Sequence, residues 1–249
     1  MNLIKQNWTK TDAKEFVSYL NSIAETDKKK INWTKRIYNT NLSVLAIKIP
    51  TIKKIAKEIN KGNPLSFLSL NLHSNFETYL ICGCLITKIN DFDCMKTYLN
   101  KYSQIIDSWA LCDCLDFNIK NENEDKYFNL SLNYINSIHP FCRRIGLLIW
   151  FKFIERANYL KIIIDNLSKF KKESHYYVNM ALAWLIAELF VKNRNICLSL
   201  FENKVLNPFV NNKAIQKIKD SFRVSLEDKK FLEKFKIKNN KSHRSKTKI

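Results

Sequence analysis

The sequence predicts an all-α fold, an α-solenoid of stacked helical hairpins, and three observations carry that expectation. Glycine is scarce: the 249 residues include three, Gly62, Gly83 and Gly146, beside four prolines. Tight hairpin turns and glycine-rich phosphate loops therefore have almost no material, which sets aside Rossmann, P-loop and all-β architectures. Apolar residues recur at helical spacing nearly throughout, and strict alternation over five or more residues is hard to find. Three prolines, in Asn63-Pro64, His139-Pro140 and Asn207-Pro208, stand where a helix would begin, a position at which the missing N–H has no intrahelical partner to lose.

From the N-terminus, Phe16, Val17, Leu20, Ile23 and Ala24 form an i, i+3, i+4, i+7 stripe that predicts a helix over 10–25. The Lys-rich segment 28–38 follows as a second helix, and Ile52, Ile55, Ala56 and Ile59 repeat the stripe over 51–61. Further helices are expected over 64–70, 75–88, 91–102, 104–117 and 124–137, then over 140–155, 158–170 and 174–191, and last over 194–203, 211–221 and 226–236. Ile145–Phe151 and Tyr177–Ala187 are apolar nearly all round and belong inside, being too short to span a bilayer. Fourteen short helices with brief connections do not make one four-helix bundle. They suit HEAT- or armadillo-type pairs, each burying its face against its neighbours, in a single domain over 1–237.

The formal net charge is +19, from 42 basic and 23 acidic side chains, which makes a polyanion the first partner to test. Of the basic residues 35 are lysine, and 29 asparagines accompany them; codon bias toward A and T would produce the same composition, so part of the charge belongs to drift. Nine basic residues and one acid lie from Lys229 onward, and 238–249 reads as a disordered basic tail. The first residues lack an apolar leader and no run could cross a membrane, so a cytoplasmic protein is expected. Seven cysteines without a C-x-x-C support neither a disulfide framework nor a zinc ribbon. The two C-x-C pairs, Cys82/Cys84 and Cys112/Cys114, point to opposite sides of a helix and could not share a metal. No metal and no cofactor are expected.

Trp109 and Asp113 fall at i, i+4 on one helix face. By itself the pairing suits a core tryptophan with a carboxylate capping or pairing at its edge. Arg143-Arg144 opens a buried helix, where the macrodipole disfavours a cation, so an ion pair or a bound anion must compensate. Trp184, central in an apolar helix, reads alone as core. Trp109, Arg144 and Trp184 are, however, spaced by 35 and 40 residues, near the repeat length of a HEAT-like solenoid, and could line one concave groove.

Five landmarks, in order, resemble the HEAT-like-repeat DNA alkylation repair proteins, the AlkD-like DNA glycosylases. They are Val44–Lys57 (VLAIKIPTIKKIAK), Asp107–Asp113 (DSWALCD), Arg144–Leu148 (RIGLL), Tyr176–Leu185 (YYVNMALAWL) and Lys213–Arg223 (KAIQKIKDSFR). The resemblance implies excision of cationic alkylated purines such as N3-methyladenine and N7-methylguanine from double-stranded DNA, by hydrolysis of the N-glycosidic bond and without a deep base pocket. By position it makes Asp113 the catalytic carboxylate, Trp109 and Trp184 the aromatics against the deoxyribose backbone, and Arg144 the arginine beside them. Lys53, Lys54, Lys213, Lys217, Lys219 and Arg223 are the expected phosphate contacts, which position a duplex without reading its sequence. Two departures stand out: Ala46 replaces a usual glycine, and Ile37-Tyr38 is all that answers to a helix with a tyrosine near the lesion, as in a branch where that element is shortened. A non-catalytic DNA-binding solenoid of the same family and a HEAT-type protein scaffold are the alternatives, and a monomer is expected in each.

Overall fold

The computed structural model describes residues 1–238, and among these it is all-helical, with fourteen α-helices and no strand. They are α1 (Lys10–Ser22), α2 (Lys28–Tyr38), α3 (Ile49–Asn60), α4 (Pro64–Leu68), α5 (Phe76–Ile86), α6 (Phe92–Ile105), α7 (Trp109–Asp113), α8 (Glu124–Ile135), α9 (Pro140–Trp150), α10 (Ala157–Asn166), α11 (Tyr176–Lys192), α12 (Arg194–Glu202), α13 (Pro208–Asp220) and α14 (Leu226–Phe231). The prolines that mark helix starts do so at Pro64, Pro140 and Pro208. Asparagine or aspartate side chains cap α2, α4, α5, α6, α12 and α13 by accepting first-turn N–H groups. No helix among the described residues is long and apolar enough to cross a membrane.

The chain divides into two compact units, Met1–Gly146 and the part that begins at Leu147. In the first, α3 packs on α5, which also packs on α4, α6 and α7; neighbours along the chain bury each other, as solenoid hairpins do. Its N-terminal end is sealed by edge-to-face rings, Trp8 on Phe67 at 4.9 Å and Phe16 on Phe67 at 5.1 Å. The centre is α5, buried over most of its length. Gly83 permits this packing, because a Cβ there would lie 2.6 Å from the Tyr102 hydroxyl and 2.7 Å from Cys114 Sγ. In the second unit α11 packs on α12 and α13, and Asn207 Nδ2 donates to Phe170 O and Asn179 Oδ1 to join the buried polar groups there.

Ala46 adopts a left-handed φ of 53°, a region that glycine enters without strain. Its conformation lets the backbone N–H groups of Leu45, Ala46 and Ile47 turn toward the buried carboxylate of Glu77, a concave array of donors around an anion. Burial raises the Glu77 pKa, and those N–H groups oppose the rise.

One expected element differs. The helix read over 104–117 is two pieces: α6 ends at Ile105, the chain is extended at Ile106 and Ser108, and α7 covers only Trp109–Asp113. The break has a local cause. Asp107 accepts Thr40 Oγ1 at 2.6 Å and the Asn41 N–H at 2.7 Å, drawing its backbone out of the helix, and Ser108 restarts it by accepting the Ala110 N–H. Likewise 140–155 ends as a helix at Trp150, and 226–236 ends in a short 3-10 turn over Leu232–Phe235. The basic tail expected over 238–249 lies, past Lys238, outside the described residues.

Candidate functional site

The residues around α7 make the first candidate site. Ser108 donates its hydroxyl to Tyr38 O at 2.6 Å, and the Trp109 indole N–H reaches Ile37 O at 3.1 Å. Trp109 is thus held to the C-terminal end of α2, where its ring meets Tyr38 edge-on at 6.3 Å; Tyr38 in turn stacks on Phe76 at 4.4 Å. Ile37-Tyr38 therefore closes the helix expected over 28–38. That this end would meet Trp109 leaves no mark in local spacing, because the contact joins segments far apart in the chain.

At the other end of α7, Asp113 meets Arg144 of α9. Arg144 Nε donates to Asp113 Oδ1 at 3.0 Å and Nη2 to Oδ2 at 2.8 Å, the bidentate geometry of guanidinium with carboxylate. Burial is unequal: the Arg144 side chain is 6% exposed and that of Asp113 25%. Of the two compensations expected for an arginine at the start of α9, the ion pair is the one present. Arg143 turns back instead and donates to Ser137 O and Ile138 O, both at 2.9 Å. The structure thus joins Asp113 with Arg144 through two hydrogen bonds and sets Trp109 one turn away on the same short helix.

Trp184 belongs to the second unit. It is 39% exposed on a helix whose flanking residues Leu182, Ala183, Leu185 and Ile186 are buried, so its reading as a core residue is corrected: Phe151 supports one side of the ring at 4.6 Å and the rest faces a groove. Lys217, Glu188 and Arg223 line that groove with it. Arg223 donates to both Glu188 oxygens, at 3.0 and 2.6 Å, and Trp184 lines the same groove as Glu188. The bond from Arg223, foremost, holds the Glu188 carboxyl below the usual glutamate range. Glu188 follows Trp184 by four residues, just as Asp113 follows Trp109, and that spacing was the sequence signal for it.

The expected phosphate contacts differ in how free their charges are. Lys53 and Lys54 are exposed on α3. On α13, Lys213 donates to Gln216 Oε1 at 2.9 Å and Lys217 borders the Trp184 groove. Lys219 is paired with Glu233, as Arg223 is with Glu188. Among the described residues no group of His, Cys, Asp and Glu could hold a metal ion.

No curated protein matches the sequence. The family model described as DNA alkylation repair enzyme does match, over residues 20–218. The span begins inside α1, so it takes in α2, the first four landmarks and the fifth as far as Ile218, and it contains Trp109, Asp113, Arg144 and Trp184. Most of the chain lies within the match, and the chain belongs to the DNA alkylation repair enzyme family.

Proposed function

We propose that this protein is a DNA glycosylase that releases cationic alkylated purines, N3-methyladenine and N7-methylguanine, as the first step of base excision repair. The observation that carries the reading is the Asp113 carboxylate, fixed by bidentate hydrogen bonds from a buried arginine yet 25% exposed at the end of α7, one turn from an aromatic face. Alkylation at N3 or N7 gives the base a positive charge, so it can leave with the C1′–N electron pair and needs no protonation. Positive charge then develops at C1′, as in glycoside hydrolysis, and a fixed carboxylate stabilises it without reorganising. Each Asp113 oxygen has a second lone-pair site beyond the one facing Arg144, which can orient the attacking water and take up its proton as the C1′–O bond forms. Trp109 supplies a face for C–H/π and cation–π attraction to the charged sugar. Trp184, exposed beside Lys217 and Arg223, suits the deoxyribose-phosphate backbone, and Lys53, Lys54 and Lys213 add phosphate contacts. The protein acts as a monomer, since a single lesion imposes no symmetry, and cytoplasmic location follows the same reading.

The bidentate pair also favours a second reading. With both Asp113 oxygens already engaged, the groove could bind DNA and not turn over. Single-turnover incubation with a duplex containing N7-methylguanine separates the two. Base release that disappears in Asp113→Asn supports the glycosylase; salt-sensitive duplex binding with no release above that variant supports the binding protein.

A further inference from the structure

The two C-x-C pairs, which cannot each hold a ligand, meet crosswise. Cys84 comes from α5 and Cys114 from the residue that caps α7, and both line one pocket. Gly83 is what lets them approach: with no Cβ on α5 at that point, Cys114 Sγ lies against the helix backbone next to Cys84. Cys84 Sγ is also 4.0 Å from the Cys114 carbonyl oxygen. Cys114 Sγ also points to Leu111 O at 3.2 Å, and Cys112, Cys142 and Cys197 are likewise buried against backbone carbonyls. Cys82 is buried, and Cys94 of α6 is half-buried, as Cys84 is.

Cys84 is half-buried and opens into a pocket of about 330 Å³ whose rim carries Lys53 and Lys57 of α3 and Lys88 after α5, the last paired with Asp116 at 3.3 Å. A partly exposed thiol among cations is the setting in which cysteines become reactive, whereas thiols in apolar surroundings stay inert. The charges act accordingly. The Cys114 contact, then burial opposed by Lys53 and Lys88, leaves the Cys84 thiol below its ordinary pKa, while Asp116 works against this; the same contact with Cys84, then burial, pushes Cys114 well above it. The half-buried thiol at the lysine-lined rim is thus the one a small oxidant reaches first, and the buried one is its neighbour.

We propose that Cys84 and Cys114 form a peroxide-reactive dithiol, in which Cys84 is the sulfur that attacks and Cys114 the one that resolves. The Cys84 thiolate takes an oxygen from a hydroperoxide: the O–O bond breaks, the sulfur is oxidised to sulfenic acid, and the alcohol or water that leaves takes its proton from solvent. Cys114 then attacks the Cys84 sulfur, its thiol proton leaves with the hydroxyl as water, and the S–S bond forms. The product ties α5 to the residue next to Asp113, and it does not depend on which DNA lesion the protein acts on.

The test uses the full chain, reduced and then exposed to a small excess of hydrogen peroxide, with non-reducing peptide mass mapping. A Cys84–Cys114 cross-link is expected, lost in both Cys84→Ser and Cys114→Ser, with Cys84 sulfenic acid accumulating in Cys114→Ser and trapped by dimedone. Pairing Lys53→Met with Lys88→Met should slow iodoacetamide labelling of Cys84 several-fold at neutral pH and move its pH profile upward. No cross-link, a cross-link through another cysteine, or first oxidation at Cys94 would overturn the proposal.

Discussion

The two units contain the same three-residue motif, executed differently. In the first, Trp109 precedes Asp113 by four residues and Arg144 closes on the acid from 31 residues further on; in the second, Trp184 precedes Glu188 by four and Arg223 closes on it from 35 residues further on. Both arginines bind both carboxylate oxygens. The acids are similarly covered, at 25% and 22% side-chain exposure, but Arg144 is 6% exposed and Arg223 53%. A buried guanidinium cannot exchange its partner for a phosphate without leaving a desolvated charge behind, so Arg144 orients Asp113 permanently. An exposed one loses little by exchanging, so on the proposed function Arg223 is the one able to move to a phosphate. On the proposed function, two doubly hydrogen-bonded pairs that differ in burial therefore suit one site to chemistry and the other to grip.

The largest effect should separate the acids in single-turnover base release. Asp113→Asn is expected to lower the rate by at least about 100-fold, the scale of losing a fixed electrostatic group at a developing charge, with Glu188→Gln within a few-fold of wild type. Equal losses would break the comparison. Urea denaturation should then separate the arginines. Arg144→Ala removes a buried, doubly bonded side chain and is expected to cost about 2–3 kcal/mol, whereas Arg223→Ala should stay within about 0.5 kcal/mol.

A smaller difference lies in salt dependence. Arg223→Gln should flatten the fall of duplex affinity with salt by about one phosphate contact; an unchanged slope would mean that Arg223 never leaves Glu188. The smallest effect is in pH. The Glu188 pKa is lowered by the hydrogen bond from Arg223, so its stabilising contribution is complete above the unfolded value and is lost as pH falls through the lower folded one. The gap in Tm between wild type and Glu188→Gln should therefore close as pH drops below about 4.

Much of this was legible in local pattern. Proline after asparagine or histidine located three helix starts, and the apolar stripes located α1 and α3, because these signals are set within one or two turns of chain. The family landmarks located Asp113 and Arg144. What escaped the sequence depends on distant partners. The break before α7 is imposed by Thr40 and Asn41, some 66 residues from Asp107, and no helical period can register that. The exposure of Trp184 depends on which side of a uniformly apolar helix lacks a neighbour, which periodicity cannot say when every side reads the same. Glu188 was legible, since the Trp-x-x-x-acid spacing repeats, but the acid gains meaning only once Arg223 is seen to reach it. Ala46 in place of glycine looked like a departure in sequence, yet the backbone keeps the left-handed turn and accepts the strain, because Glu77 gathers the N–H groups that the turn presents.

The attachment of α2 bears on how the molecule breathes. This helix has no buried residue, and Trp33 on it is 56% exposed, so little hydrophobic area opposes its opening, and its amides should exchange with deuterium long before those of α5. What holds it is the cluster at its C-terminal end, where Asp107, Ser108 and Trp109 bind the backbone or side chains of residues 37–41. Each opening must therefore strip the indole N–H of Trp109 of its carbonyl, so in a variant whose other four tryptophans are replaced the fluorescence of Trp109 is an optical gauge of whether the N-terminal helix is seated.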